Sequence, residues 1–161
     1  MNKKIILIAI LFIFCCDNSI NNKWENGQKL MNENKLMESI TIFNNIISKH
    51  PDSKFSVKAQ FQIAEIYLNN KKDYNIAIEE FSKVINNFPN TPESKNSLFM
   101  ISYIYNNYLN EYSNAIINYN KFLKKYPDDD LIPSVNYELE TLKKYQTQID
   151  SLNKTLKNND E

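Results

Sequence analysis

Few residues in this chain could do chemistry, and their spacing limits what it could be. Two adjacent cysteines, Cys15 and Cys16, end a run of ten apolar residues from Ile5 to Phe14. Neighbouring cysteines make a poor structural disulfide, so their thiols are read for modification instead. The one histidine, His50, has no second histidine and no nearby cysteine to share a metal with. Asp128-Asp129-Asp130 lacks the alternating oxygen ligands that calcium wants and reads as a solvated loop before a helix. The acid pairs Glu79-Glu80 and Glu138-Glu140 read as wet helix faces, and no serine, lysine or acid pair stands in a catalytic context. The single glycine, Gly27, excludes glycine-rich phosphate loops and argues against an all-β fold. Every basic residue is lysine and the formal net charge is zero, so bidentate phosphate or guanine recognition and a basic nucleic-acid surface are both missing. The residues therefore predict no catalysis, no metal, no cofactor and no nucleic-acid partner.

The elements that position the cysteines come first. Lys3 and Lys4 precede the apolar run, as in a signal peptide. Ten helical residues span roughly 15 Å, about half a bilayer core, so the run is short for a spanning helix. The run stops at cysteine and has no small-x-small cleavage site. In this it resembles a bacterial lipoprotein signal, in which the cysteine becomes the lipidated first residue. That resemblance makes Cys16 the acceptor, with Cys15 before the cut; Cys15 is the alternative acceptor, and an uncleaved anchor is the other reading of the segment. Ile13-Phe14-Cys15-Cys16 departs from the usual Leu-Ala/Ser-Gly/Ala-Cys in either register. The domain reading is a signal at 1–15 and a lipidated tether at 16–23. Losing Lys3 and Lys4 leaves a mildly acidic body with little attraction to an anionic membrane, so the lipid must do the anchoring.

The body repeats. Pro51, Pro89 and Pro127 are evenly spaced, and each ends an apolar-periodic segment. Before Pro51 stand Leu36, Ser39, Ile40, Phe43, Ile46, Ile47 and His50. Before Pro89 stand Tyr74, Ala77, Ile78, Phe81, Val84, Ile85 and Phe88. Before Pro127 stand Tyr112, Ala115, Ile116, Tyr119, Phe122, Leu123 and Tyr126. The shared offsets trace one face of a helix, and only Ser39 and His50 break the apolar pattern. A second helix precedes each segment, and Thr91-Pro92-Glu93 is a strong helix start. Gly27, Ala64 and Ser102 hold equivalent small positions, three before Leu30, Tyr67 and Tyr105, where two helices can approach closely.

Small residue, aromatic three later, alanine, aromatic, closing proline: this pattern resembles the tetratricopeptide repeat. It runs Ala64, Tyr67, Ala77, Phe81, Pro89 in the second unit and Ser102, Tyr105, Ala115, Tyr119, Pro127 in the third. The first unit has Gly27, Leu30, Ser39, Phe43 and Pro51. The spacers after each proline are similar to those of envelope lipoproteins of the BamD (YfiO) type and of YbgF-type coordinators associated with Tol–Pal. The resemblance implies an all-α tetratricopeptide-like α-solenoid of three helical hairpins over 24–127 (24–51, 53–89 and 91–127), with a C-terminal capping helix at 133–157 and a tail at 158–161. It also implies a bacterial envelope protein on the outer membrane facing the periplasm. Asp17 leaves the inner membrane open, since in some enteric bacteria an aspartate there retains lipoproteins.

Binding is then the expected work, and the first helices carry the candidates. Trp24, Phe61 and Phe99 each stand three residues before the small position, and Gln28, Glu65 and Tyr103 occupy the column after it, with Asn106 a turn beyond. Trp24, Phe61, Glu65, Phe99, Tyr103 and Asn106 are the expected partner-binding residues, because exposed aromatics anchor peptides. The competing reading has these rings complete the core. The C-terminal stripe either docks on the helix ending at Tyr126 or self-associates through Leu142, Ile149, Leu152 and Leu156. The functional expectation is a non-catalytic protein-binding scaffold of the envelope in outer-membrane protein assembly. The alternative is a structural oligomer coordinating cell-wall or division machinery.

Overall fold

The structure is a computed structural model that describes residues 19–159. Those residues form seven α-helices, with no strand among them. They are α1 (19–32), α2 (Leu36–Lys49), α3 (Lys54–Glu65), α4 (Tyr74–Asn87), α5 (Pro92–Asn107), α6 (Tyr112–Lys125) and α7 (Ile132–Asn159). The helices pair antiparallel in the tetratricopeptide manner, so the expected all-α fold is the fold observed. The described residues divide into two compact units, 19–94 and 95–159, with the boundary just inside α5.

Each hairpin is made by the same local chemistry. The turn before each second helix holds a residue in the left-handed region: Asn34 (φ 60°), Lys72 (φ 54°) and Asn110 (φ 56°), spaced as the prolines are. That conformation closes a helix C-terminus by turning back its last N–H groups, as Lys35 N–H does to Leu30 O at 2.8 Å. In the second hairpin a π-helical segment, Ile66–Lys71, extends α3 up to this turn. Each proline is followed two residues later by a cap. Ser53 Oγ accepts from Phe55 N–H (3.2 Å), Thr91 Oγ1 from Ser94 N–H (3.1 Å) and Asp129 Oδ1 from Leu131 N–H (2.9 Å).

In the first unit, Ile20, Ile40, Phe43, Ile46, Phe55, Ala59, Ile63 and Ile66 form one buried cluster. Gly27 touches it directly: a Cβ built there would lie 2.5 Å from Phe43 Cε1. The exception Ser39 is buried because its hydroxyl donates to Gly27 O at 2.8 Å. Residues 19–23, read from sequence as tether, are helical, and Ile20 is buried at the core's edge. An apolar side chain four residues before Trp24 extends the same buried face of α1, which is why the helix begins earlier than the sequence reading put it.

In the second unit, Leu98, Ile101, Ile104, Ala115, Tyr119, Phe122, Val135, Leu139 and Leu142 are buried. Helix α7 packs on α6 and is in register with the first helix of a hairpin. Its buried Val135, Leu139 and Leu142 fall one repeat period after the buried Ser97, Ile101 and Ile104. Its exposed Tyr137 and Glu140 fall one period after Phe99 and Ser102. That side of α7 is exposed among the described residues, with a glutamate at the position where Ser102 is buried. The helix also takes in residues 158 and 159, read from sequence as tail.

Candidate binding faces on the first helices

The first unit brings four sequence-derived residues together. Trp24 and Gln28 are one turn apart on α1; Phe61 and Glu65 are one turn apart on α3. The two stripes meet through Gln62, whose carbonyl accepts from Gln28 Nε2 at 3.2 Å and whose amide donates to Glu65 Oε2 at 2.9 Å. Trp24 packs at 5.3 Å from Phe43 and 6.1 Å from Phe55, and Phe61 meets Phe81 edge-on at 5.3 Å. Both rings are half-buried, so each helps close the core while leaving part of itself at the surface. Partial burial pushes the Glu65 carboxyl above its ordinary range, and the Gln62 hydrogen bond offsets only part of that.

The second unit gathers the others differently. Phe99 stacks on Tyr103 (6.4 Å) and meets Tyr119 and Phe122 edge-on at 6.0 and 6.2 Å. Tyr103 also meets Tyr108 edge-on at 5.9 Å. Asn106 is engaged inside the unit, its Nδ2 donating to Glu138 Oε2 at 2.7 Å. Tyr119 is fully buried, and burial, reinforced by Glu138 and Tyr103, pushes its phenol far above the ordinary value. Lys95 pairs with Asp129 at 2.5 Å, holding the Asp128–Asp130 loop against α5.

Of the residues in these contacts, Gln62 was not singled out from sequence, and Glu138, read from sequence as part of a wet helix face, is half-buried and accepts from Asn106. Gln62 and Glu138 fall at one register position of the repeat, so the period could have linked them; their partners Gln28 and Asn106 lie on other helices and leave no linear signal. Tyr137 is missed in the same way as a fourth member of the Trp24, Phe61, Phe99 column. Among the proposed self-association residues, Leu142 is buried within the unit and is not available to another chain. Its apolar side chain is consumed in docking α7. Cys15 and Cys16 lie outside the described residues. Among the described residues, no helix is long and apolar enough to cross a membrane, and no group of three or more His, Cys, Asp or Glu could hold a metal ion.

A family model described as "YfiO: Outer membrane lipoprotein" matches residues 68–159, more than half of the chain. The chain belongs to the YfiO family. No curated protein matches it. Solved structures share the YfiO chain's fold at low identity. The P58(IPK) tetratricopeptide domain matches with TM-score 0.54 and 18% identity, over 81% of this chain and 34% of that one. This chain thus spans about a third of that relative's length. The C-terminal tetratricopeptide-containing domain of a Plasmodium falciparum FK506-binding protein matches with TM-score 0.51 and 18% identity, over 83% and 92%. MamA from Desulfovibrio magneticus RS-1 matches with TM-score 0.51 and 15% identity, over 84% and 76%. YfiO-family tetratricopeptide proteins are typically non-catalytic scaffolds, and tetratricopeptide domains mediate protein binding.

Proposed function

We propose that this chain is a lipid-anchored, non-catalytic adaptor that holds a protein segment during outer-membrane protein assembly. The carrying observation is the strip from Trp24 through Gln28 and Gln62 to Glu65, where half-buried rings stand beside side-chain hydrogen-bonding groups. Such a strip offers both an apolar anchor and partners for an extended backbone. Phe99 and Tyr103 offer the aromatic part of the same design in the second unit. The anchor is Cys16, with Cys15 as the alternative acceptor, on the outer membrane facing the periplasm; anchoring raises the local concentration of the binding faces. Membership of the YfiO outer membrane lipoprotein family supports this reading.

The test places a photo-crosslinking amino acid at Trp24, Phe61 or Phe99 in the membrane-bound protein, with exposed Ile117 as control. Defined envelope-protein adducts are expected at the three aromatic positions and not at the control. Adducts at the control alone would reject the binding faces. Fatty-acid labelling should survive Cys15→Ala and vanish in Cys16→Ala.

A second reading, an oligomer joined through α7, is favoured by one feature: the helix runs to Asn159, well past Leu142, the last buried residue among those described, and exposes Tyr145. The mass of the detergent-extracted protein, before and after Ile149→Glu with Leu152→Glu, separates this from a monomeric adaptor.

A further inference from the structure

Glu65 is not explained by packing. It is half-buried beside Phe61, one turn earlier on α3, and next to the amide pair that bridges α1 and α3. Its hydrogen bond comes from Gln62, a neutral donor, and it joins none of the ion pairs among the described residues. The lysine on the same stripe, Lys58, is exposed two turns away. A carboxylate in this position has lost part of its hydration without gaining a cation in return. The aromatic face beside it suits the same kind of guest, since a cation is attracted both by a carboxylate and by a ring.

We propose that Glu65 receives a lysine or arginine side chain of the segment docked on the α1–α3 strip, with Phe61 covering the aliphatic stem. This rests on the reading of that strip as a peptide-binding face and adds the chemistry of its guest. The cation supplies the charge that Glu65 lacks; the Gln28 and Gln62 amides fix the neighbouring backbone; Trp24 holds an apolar residue at the other end. A segment with an acidic residue at the Glu65 position is rejected, because two carboxylates would share a partly dry site. Partner choice is then set by one basic residue in a defined register with an apolar one.

The test is selection from a phage-displayed library of random dodecapeptides against the full-length, detergent-extracted protein. The expected pool carries lysine or arginine at one fixed distance from an apolar residue and is lost when selection is repeated on Trp24→Ala. On Glu65→Gln, which keeps an acceptor for the Gln62 amide, the basic preference should disappear while apolar anchoring remains. For a selected peptide, acetylating its lysine should weaken binding by about tenfold, the worth of one charge-assisted hydrogen bond. The same acetylation should leave binding to Glu65→Gln unchanged. Trp24-dependent peptides with no fixed basic residue would overturn the role of Glu65 and leave the binding face standing. A basic preference that persists in Glu65→Gln would overturn it as well. Absence of any Trp24-dependent peptide would overturn the face and the proposal together.

Discussion

In residues 19–94 the polar contact between successive first helices runs from Gln28 through Gln62 to Glu65; in residues 95–159 it runs from Asn106 to Glu138. Gln62 and Glu138 occupy the same register position, yet the two contacts end differently. Glu138 accepts from Asn106 beside the buried phenol of Tyr119, and the nearby loop carboxylate Asp129 is paired with Lys95. Glu65 likewise accepts from a neutral amide. What differs is the cation: the second unit pairs its loop carboxylate Asp129 with Lys95, whereas Glu65 joins no ion pair among the described residues and lies at the edge of a half-buried aromatic strip. One backbone plan thus carries different polar surroundings through the residue types at two or three register positions.

The largest effect should come from the buried ring on which the aromatic column rests. Phe61 rests on Phe81, which is fully buried, while the equivalent Tyr137 of α7 is 69% exposed. Phe81→Ala should cost about 3–5 kcal/mol in denaturant unfolding. Tyr137→Ala should change stability by about 0.5 kcal/mol or less. A comparable loss in Tyr137→Ala would show that α7 is covered on that side.

Next come the small positions where paired helices cross. Gly27→Ala drives a methyl into the Phe43 ring, with contacts at 2.5 to 3.1 Å, and Phe43 is fully buried with little room to retreat. The expected cost is about 1–3 kcal/mol. Ser102 holds the same position in the second unit, already carries a Cβ, and donates its hydroxyl to Leu98 O at 2.9 Å. Ser102→Ala should stay within about 1 kcal/mol. Equal costs at the two positions would mean that the hairpins cross at equal distances.

The sequence made the fold legible because its signals are local and recur. Prolines at 51, 89 and 127, small residues at 27, 64 and 102, and the second-helix apolar stripe each state a helix or its end without reference to any distant residue. The start of α1 was less legible, because Asn18-Ser19-Ile20-Asn21-Asn22 is polar in composition and one buried isoleucine decides it. The candidate faces were half legible. Periodicity put Trp24, Phe61 and Phe99 in one column, but it could not say that each ring is shared between core and surface. Nor could it say that Asn106 is spent on Glu138, since that pairing depends on α7 docking 32 residues later in the chain.

A smaller difference lies in the hairpin turns. The left-handed residue is Lys72 in the second hairpin and Asn110 in the third, whose Oδ1 also accepts from the Tyr112 hydroxyl at 3.3 Å. Asparagine tolerates that conformation better than lysine because its short side chain can bond locally. Lys72→Asn should stabilise by about 0.5 kcal/mol and Asn110→Lys should destabilise by somewhat more, since it also loses the tyrosine contact. The pair of thermal midpoints should therefore move in opposite directions.

The smallest effect expected is in the pH profile, and it tests the two carboxylates directly. Asp129 is held below its ordinary value of 3.8 by the Lys95 ammonium and by Leu131 N–H, so its contribution is present above that value and is lost as the pH falls further. Glu65 is pushed above its ordinary 4.5 by burial, so the folded chain binds the proton more tightly than the unfolded one. Its ionisation therefore weakens the fold as the pH rises from about 4.5 through the folded value. Acidifying from neutrality should first relieve the Glu65 penalty and then, below 3.8, remove the Asp129 contribution. Glu65→Gln should flatten the upper limb alone, and Asp129→Asn the lower limb alone. A bound basic peptide should erase the Glu65 limb in the wild-type chain, because a cation beside that carboxylate lowers its pKa as Lys95 does for Asp129. If the upper limb survives Glu65→Gln unchanged, the open carboxylate is some other group and the contrast between the two units has been drawn at the wrong residue.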